Sequence, residues 1–359
     1  MSARLSGLAA EPRRTRLVRV SAALLVLSWS ALTWTDSLAQ GSPTEGEPHR
    51  AADQTYLTYP EWFLVYGPEE YADYVSTRPP TDFPFMAQVF QFWSGYIDVT
   101  RAVPEREPVN WGYHAMIWTI GLSTTVEYVV RAAYESSVGR ITAATVIGET
   151  THEDAYGARV AREYEQFLRQ NAWYDFDYPA ALRALWSDVP FTWTSPLRAL
   201  ERRYALTTEY TFKALYAHPL SALSHASFDE ASFVATTEVR VRDLPSTFEL
   251  AGPWELERVT HPDGTDSLLL PRYEAFMGAA LRVASEGASF EEIAGNRGRI
   301  LVSVRAPHGF MPGGRVLRRD PLSTTPSRER VVFDVPIAEL ADVLRELPSD
   351  VSLEHIYDF

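Results

Sequence analysis

The stretch SLLLPRYEAFMGAALRVASE, residues 267–286, decides the fold class. Ser267 to Leu270 is a short apolar run just behind the turn formers His261-Pro262-Asp263-Gly264, and it reads as a strand. From Tyr273 to Glu286 the pattern is that of a helix. Downstream come a short helix at Phe290 to Ala294, a strand at Ile300 to Val304, a long loop, a strand at Arg330 to Val335, a helix at Ile337 to Glu346 and a last strand at Val351 to Tyr357. From Ser267 onward the main order is β-α-β-β-α-β, the ferredoxin-like arrangement. Two further strands are expected upstream, at Thr236 to Val241 and Trp254 to Val259.

Before residue 229 the signals are helical. Asn110 is placed to cap a long helix running to about Ser137. Thr151-His152-Glu153-Asp154 resembles a capping box and opens a helix to Gln170. Ser195-Pro196 opens another, which His218 and Pro219 should end near Ala217. The fold class is therefore α+β: an aromatic-rich helical domain over 55–228, then a smaller α+β domain over 229–359. Such a fold serves many functions and selects none.

The first 39 residues carry a different message. Arg13, Arg14, Arg16 and Arg19 precede the uncharged run Val20 to Thr35, and Ser37-Leu38-Ala39 follows as a small-x-small triplet. That is the layout of a secretory signal peptide cleaved after Ala39. Sixteen uncharged residues are short for a ~30 Å hydrocarbon core, yet Leu17, Val18 and a snorkelling Arg19 would extend them, so a retained N-terminal membrane anchor is the alternative. The flanks of Arg13-Arg14 fit a twin-arginine signal poorly. Both readings place the body outside the cytoplasm, in the periplasm or on the outer face of the inner membrane. Residues 40–54, rich in Gly, Ser, Pro and acids, read as a tether.

Composition excludes several classes of function. The 359 residues contain no cysteine, which removes disulfides, thiolate nucleophiles, iron–sulfur clusters and covalently attached haem. The net charge is −14, and the export segment itself carries five Arg against Glu11 and Asp36, so the remainder is more acidic still. Nucleic acid is an unsuitable partner for such a chain. There is no Walker loop, no G-x-S-x-G, no G-x-G-x-x-G, no H-E-x-x-H and no EF-hand loop. No cofactor is expected.

One pattern occurs twice in the helical half. Glu127-Tyr128-Val129-Val130-Arg131-Ala132-Ala133-Tyr134 matches Glu209-Tyr210-Thr211-Phe212-Lys213-Ala214-Leu215-Tyr216 as E-Y-x-x-[K/R]-A-x-Y. Glutamate four residues ahead of a cation is the favoured helical ion pair. If the two helices also face each other, Glu127 and Glu209 would share a polar centre, where paired carboxylates can split their pKa values and act as acid and base. His114 is the histidine best placed to assist, on a helix face with Trp118, Gly121, Thr125 and Tyr128. A hydrogen-bonded core role for it is the plainer alternative. Tyr128, Arg131, Tyr210 and Lys213 would line a ligand. No two of the eight histidines have helical metal-ligand spacing, and Glu-x-x-His is missing, so no metal site is expected.

The loop after Pro307 runs against the acidic balance with Arg315, Arg318 and Arg319. A glycine-rich arginine loop can wrap an anion, or its cations can pair with the acidic first domain. The expected function is an exported or membrane-tethered binding or accessory protein of the cell envelope. Its partner would be an apolar or amphipathic small molecule or an envelope protein. The alternative is an envelope hydrolase or isomerase built on the paired carboxylates.

Overall fold

The computed structural model describes residues 52–103, 109–227, 236–249, 257–272 and 274–357. The residues expected to be an export segment, most of those expected to be a tether, and the boundary expected near residue 229 lie outside them. The helical half comprises α1 (Ala52–Glu61), α2 (Phe63–Val75), α3 (Phe85–Ala102), α4 (Trp111–Tyr134), α5 (His152–Leu168), α6 (Tyr178–Ser187) and α7 (Pro196–Ser227). Asn110 and Thr151 cap α4 and α5 as their positions imply, each side chain accepting a hydrogen bond from an amide three residues on. Where α3 crosses α4, a Cβ at Gly121 would overlap the rings of Phe92 and Trp93, so only glycine allows the approach. The helix α7 does not stop at His218–Pro219 but continues to Ser227. A proline forgoes one bond to the preceding turn without forbidding the next one.

The second half holds β1 (Thr236–Arg242), β2 (Glu257–Thr260), β3 (Thr265–Pro271), α8 (Glu274–Ser285), β4 (Ser289–Ile293), β5 (Arg299–Pro307), β6 (Arg315–Pro321), β7 (Arg328–Pro336), α9 (Ile337–Arg345) and β8 (Ser352–Ile356). Helices followed by antiparallel sheets make the fold α+β. The β-α-β-β-α-β order from Ser267 onward needs correction, because two more strands intervene between the helices. Residues 290–294, expected to be helical, belong to β4. Phe290 pairs with Val241 and Ile293 with Val239, leaving Glu291 as a bulge between them. The bulge spaces two inward-facing apolar residues three apart, which imitates a helical period. The expected long loop contains β6, whose charged sequence suits the edge position it takes beside β7.

Instead of one ferredoxin-like sheet, the described residues form two four-stranded sheets, ordered β2-β3-β1-β4 and β6-β7-β5-β8. These are the same topology written twice: strand, strand, strand, helix, strand, with the first strand between the third and fourth. The register repeats as well. Val239↔Ile293, Arg240↔Glu292, Val241↔Phe290 and Arg242↔Ser289 recur 63 positions later as Val302↔Ile356, Ser303↔His355, Val304↔Leu353 and Arg305↔Ser352, with the bulge in the same place. The ion pair Arg242–Glu291 at 2.6 Å recurs as Arg305–Glu354 at 2.7 Å. The two units also exchange contacts, α9 packing on β4 while α8 packs on both β3 and β8. One apolar core fills the space between them, including Val239, Val241, Phe276, Phe290, Val302, Val304, Phe333 and Leu340.

The two sheets differ in what covers their other faces. On β7, Val331, Phe333 and Val335 point into the shared core, and the alternate residues Arg330, Val332 and Asp334 point away from it. The helices α1 and α2 lie on that second face, and their aromatic core takes in Leu301, Val332 and Tyr357 from the sheet. Polar contacts fix the register. The Tyr56 and Tyr59 hydroxyls donate to Asp334 and Asp320, each at 3.0 Å. Arg330, fully buried, bridges Glu70 at 2.8 Å and Glu354 at 2.5 Å and lies 4.0 Å from the centre of the Tyr66 ring. Arg305 joins Glu354 to Glu69. His355 stacks on Trp62 with ring centres 3.8 Å apart.

Two consequences can be measured. Glu354→Gln leaves Arg330 and Arg305 buried beside a neutral group and should cost about 3–5 kcal/mol, whereas the matching change Glu291→Gln at the exposed pair should cost under about 1 kcal/mol. Urea denaturation of both variants checks the contrast. Burial holds His355 down to about 3 from its ordinary 6.5, so on acidification the unfolded chain takes up a proton there before the folded one does. The folded state therefore loses up to about 1.4 kcal/mol per pH unit on this account as pH falls below 6.5. His355→Phe should remove that slope between pH 6.5 and the carboxylate range, as seen in denaturation midpoints measured across it.

Candidate functional site

The repeated E-Y-x-x-[K/R]-A-x-Y segments, on α4 and α7, do face each other. Arg131 lies 3.4 Å from Glu127 on its own helix and 3.6 Å from Glu209 across the gap. Lys213 lies 3.0 Å from Glu209 and 3.4 Å from Glu127. The four form a crossed ring in which each charge touches two of the opposite sign. The ring is half-sheltered, with side-chain exposures between 14% and 37%. Aromatic faces hold the cations, Arg131 4.3 Å from the Tyr71 ring centre and Lys213 5.3 Å from that of Tyr164. Tyr128 and Tyr210 point away into separate apolar clusters, the first against Phe63 and Phe85, the second with Tyr156 and Leu206.

This geometry bears on the chemistry of Glu209. Burial raises the Glu209 pKa, but Arg131 and Lys213 outweigh it and bring it down to about 2. Lys213, which burial alone would discharge, is held well above its usual value by Glu127 and Glu209. A carboxylate and an ammonium fixed in their charged forms do not exchange protons near neutral pH, so Glu209 lacks the pKa of a general acid or base. His114 is not part of the ring. It sits thirteen residues before Glu127 on α4, about 20 Å along the axis. Its Nδ1 is 2.9 Å from the Tyr96 hydroxyl, which also accepts from Trp118 Nε1 at 2.8 Å. Of the group expected from Glu127, Glu209 and His114, the structure brings the two carboxylates together, with Arg131 and Lys213 between them, and leaves His114 apart.

The arginines expected to bind an anion are strand residues of β6, and carboxylates already fill their forks. Arg315 pairs with Asp334 at 2.5 Å. Arg318 grips both oxygens of Asp320 and reaches Asp98 at 2.8 Å. Arg319 pairs with Glu329. Of the two expected roles, pairing with acids is the one the structure displays, partly across to the helical half through Asp98.

A second charged cluster escaped the sequence reading. A π-helical turn, Glu135–Gly139, extends α4 and turns Glu135 inward, where it meets Arg202 at 2.9 Å. Arg198, also buried, binds Asp154 at 2.7 Å, Glu201 at 3.0 Å and the Gly139 carbonyl at 3.1 Å. Arg203 meets Glu153 at 3.0 Å. The run Glu201-Arg202-Arg203 looks like a solvated face in sequence; only the partner acids on α4 and α5 reveal it as interior. Among the described residues no group of histidines and carboxylates is arranged to hold a metal ion.

The outer face of α4 is the reverse of these buried charges. Trp111, Ala115, Trp118, Leu122, Val126, Val129 and Ala133 fall within one narrow sector of the helix and are all exposed, the five larger ones by 43–68%. The stripe is about 33 Å long and carries no charge. Met86, Phe90 and Ile97 are exposed on the neighbouring α3. No described helix is long and apolar enough to cross a membrane. No family model, no curated protein and no solved structure matches this chain.

The charged ring has a testable acid signature. Because the folded-state pKa of Glu209 lies below the ordinary 4.5, its contribution is complete above that value and disappears as pH falls toward 2. Glu209→Gln should be less stable than the parent at neutral pH and lose less on acidification through this window, as thermal denaturation curves would record.

Proposed function

We propose that this protein is an exported or membrane-tethered binding or accessory protein of the cell envelope, acting through a surface and not through a catalytic centre. The uncovered apolar stripe of α4 carries this reading. Monomeric soluble proteins seldom leave a contiguous apolar strip of this extent open to water, and such strips mark interaction sites. The engaged state of the ionisable groups supports it too, since Glu209, Lys213 and the β6 arginines are all occupied by partners. The signal-like sequence of residues 1–39 supports the envelope location. An apolar ligand enclosed within the bundle is a weaker version of the idea, because the grooves beside Trp186 and beside Leu281 are open to the surface.

Expression of the full chain in a bacterial host followed by fractionation tests the location. The chain should appear in the envelope fraction, either starting at Gln40 or retained whole in the membrane pellet; an intact chain in the cytosol would overturn it. For the surface, Leu122→Glu combined with Val126→Glu should leave the unfolding midpoint nearly unchanged, within about 0.5 kcal/mol, since both side chains already face outward. Binding of a hydrophobic fluorescent dye should fall. Undiminished dye binding would remove the stripe as the site.

A further inference from the structure

We infer that the occupant of the α4 stripe is a lipid bilayer of low net charge, on which the helix lies parallel to the surface. This rests on the surface-binding reading above and names its partner.

Three observations point to lipid. The first is the position of the chain outside the structure. The apolar run Val20 to Thr35 is read above as a signal peptide or a retained anchor, and sixteen residues, 36 to 51, separate it from Ala52. Extended, they reach about 55 Å at most. They end at α1, which packs on both α3 and α4, with the Tyr113 hydroxyl of α4 donating to Glu61 of α1. In a chain anchored by residues 20–35, α4 therefore stays within reach of the membrane surface.

The second is the chemistry of the stripe. It offers tryptophans at positions 111 and 118 and aliphatic residues further along, with no cation among them. Tryptophan suits the boundary between headgroups and acyl chains, where one side of the ring is wet and the other apolar. An interfacial helix usually adds lysines and arginines that bind anionic lipids. Here they are lacking and the whole chain carries −14, so attachment would come from apolar burial and favour zwitterionic lipid.

The third is that the stripe is continuous over about 33 Å of a single helix, an extent suited to a flat boundary. The charges of α4 lie off this stripe: Glu127 and Arg131 turn toward α7, and Glu135 turns inward to Arg202.

The absence of cysteine allows a clean test. The full chain carrying a single Leu122→Cys or Val126→Cys change, labelled with an environment-sensitive fluorophore, is reconstituted into phosphatidylcholine vesicles; Ser285→Cys on α8 is the control. Labels at 122 and 126 should be quenched by a lipid with its quencher near the headgroup end of the acyl chain and spared by aqueous iodide, and the control should behave the opposite way. If neither quencher reaches 122 and 126, protein covers the stripe, either a second copy or another envelope protein. That outcome overturns the lipid assignment and keeps the surface reading. If iodide quenches them as it does position 285, the stripe is bare, and both fall.

Discussion

The buried guanidinium of Arg330 is the interaction on which the rest of the architecture depends. It sits on β7 with no solvent exposure, under the ring of Tyr66, between Glu70 from α2 and Glu354 from the bulge of β8. Each of these groups would be costly to bury alone, so the helices and the sheet can close over them only when all are present. Arg305 adds a second cation to Glu354 and passes the network to Glu69, and Arg169, just past the end of α5, continues it to Glu165 on that helix. A slip of α2 along the sheet would strand several charges at once, whereas an apolar seam of the same size would tolerate small shifts.

The duplicated sheets give that network a reference point within the same molecule. The Arg–Glu pair at the bulge exists in both units. In the first, Arg242–Glu291 remains partly open to water. In the second, Arg305–Glu354 has been covered by α2 and has acquired Arg330 and Glu69 as further partners. Position 265, the counterpart of Arg330 in the first unit's third strand, is a threonine. The difference shows what a helix must bring to lie on this face: carboxylates matched to the exposed arginines, and aromatic rings to shield them.

Much of this was legible in the sequence. The helical caps at Asn110 and Thr151, the turn at Gly264 and most of the strands follow from local chemistry, and the α+β class follows from their order. The two missed strands have physical causes. The β4 bulge set Phe290 and Ile293 at helical spacing, and β6 is an edge strand whose charges resemble a loop. The 63-residue repeat was invisible for a related reason. It survives in a few positions, such as Val239 and Val302 or Ile293 and Ile356, and consists mainly of shared register, which hydrogen bonds reveal and composition does not. At the candidate site the sequence brought Glu127 and Glu209 to notice through their repeated context. It could not say that Arg131 and Lys213 would stand between them, because an i,i+4 spacing fixes neighbours along a helix and not the partners across from it.

The helical half distributes its residues in an unusual sense. Arg198, Arg202, Arg203, Glu135 and Glu153 are buried and matched inside, while tryptophan, leucine and valine line the outside of α4. In water alone both choices are unfavourable: the interior gives up hydration of its ions, and the exterior leaves apolar area wet. They become consistent if the outer face has a neighbour of low polarity. Interior ion pairs then hold α4 and α7 together without consuming the apolar surface that a conventional bundle would bury between its helices, and the surface kept outside is free to meet lipid. On the reading proposed for this protein, the charged ring of Glu127, Arg131, Glu209 and Lys213 is thus a fastening, and the stripe on the far side of α4 is what it fastens in place.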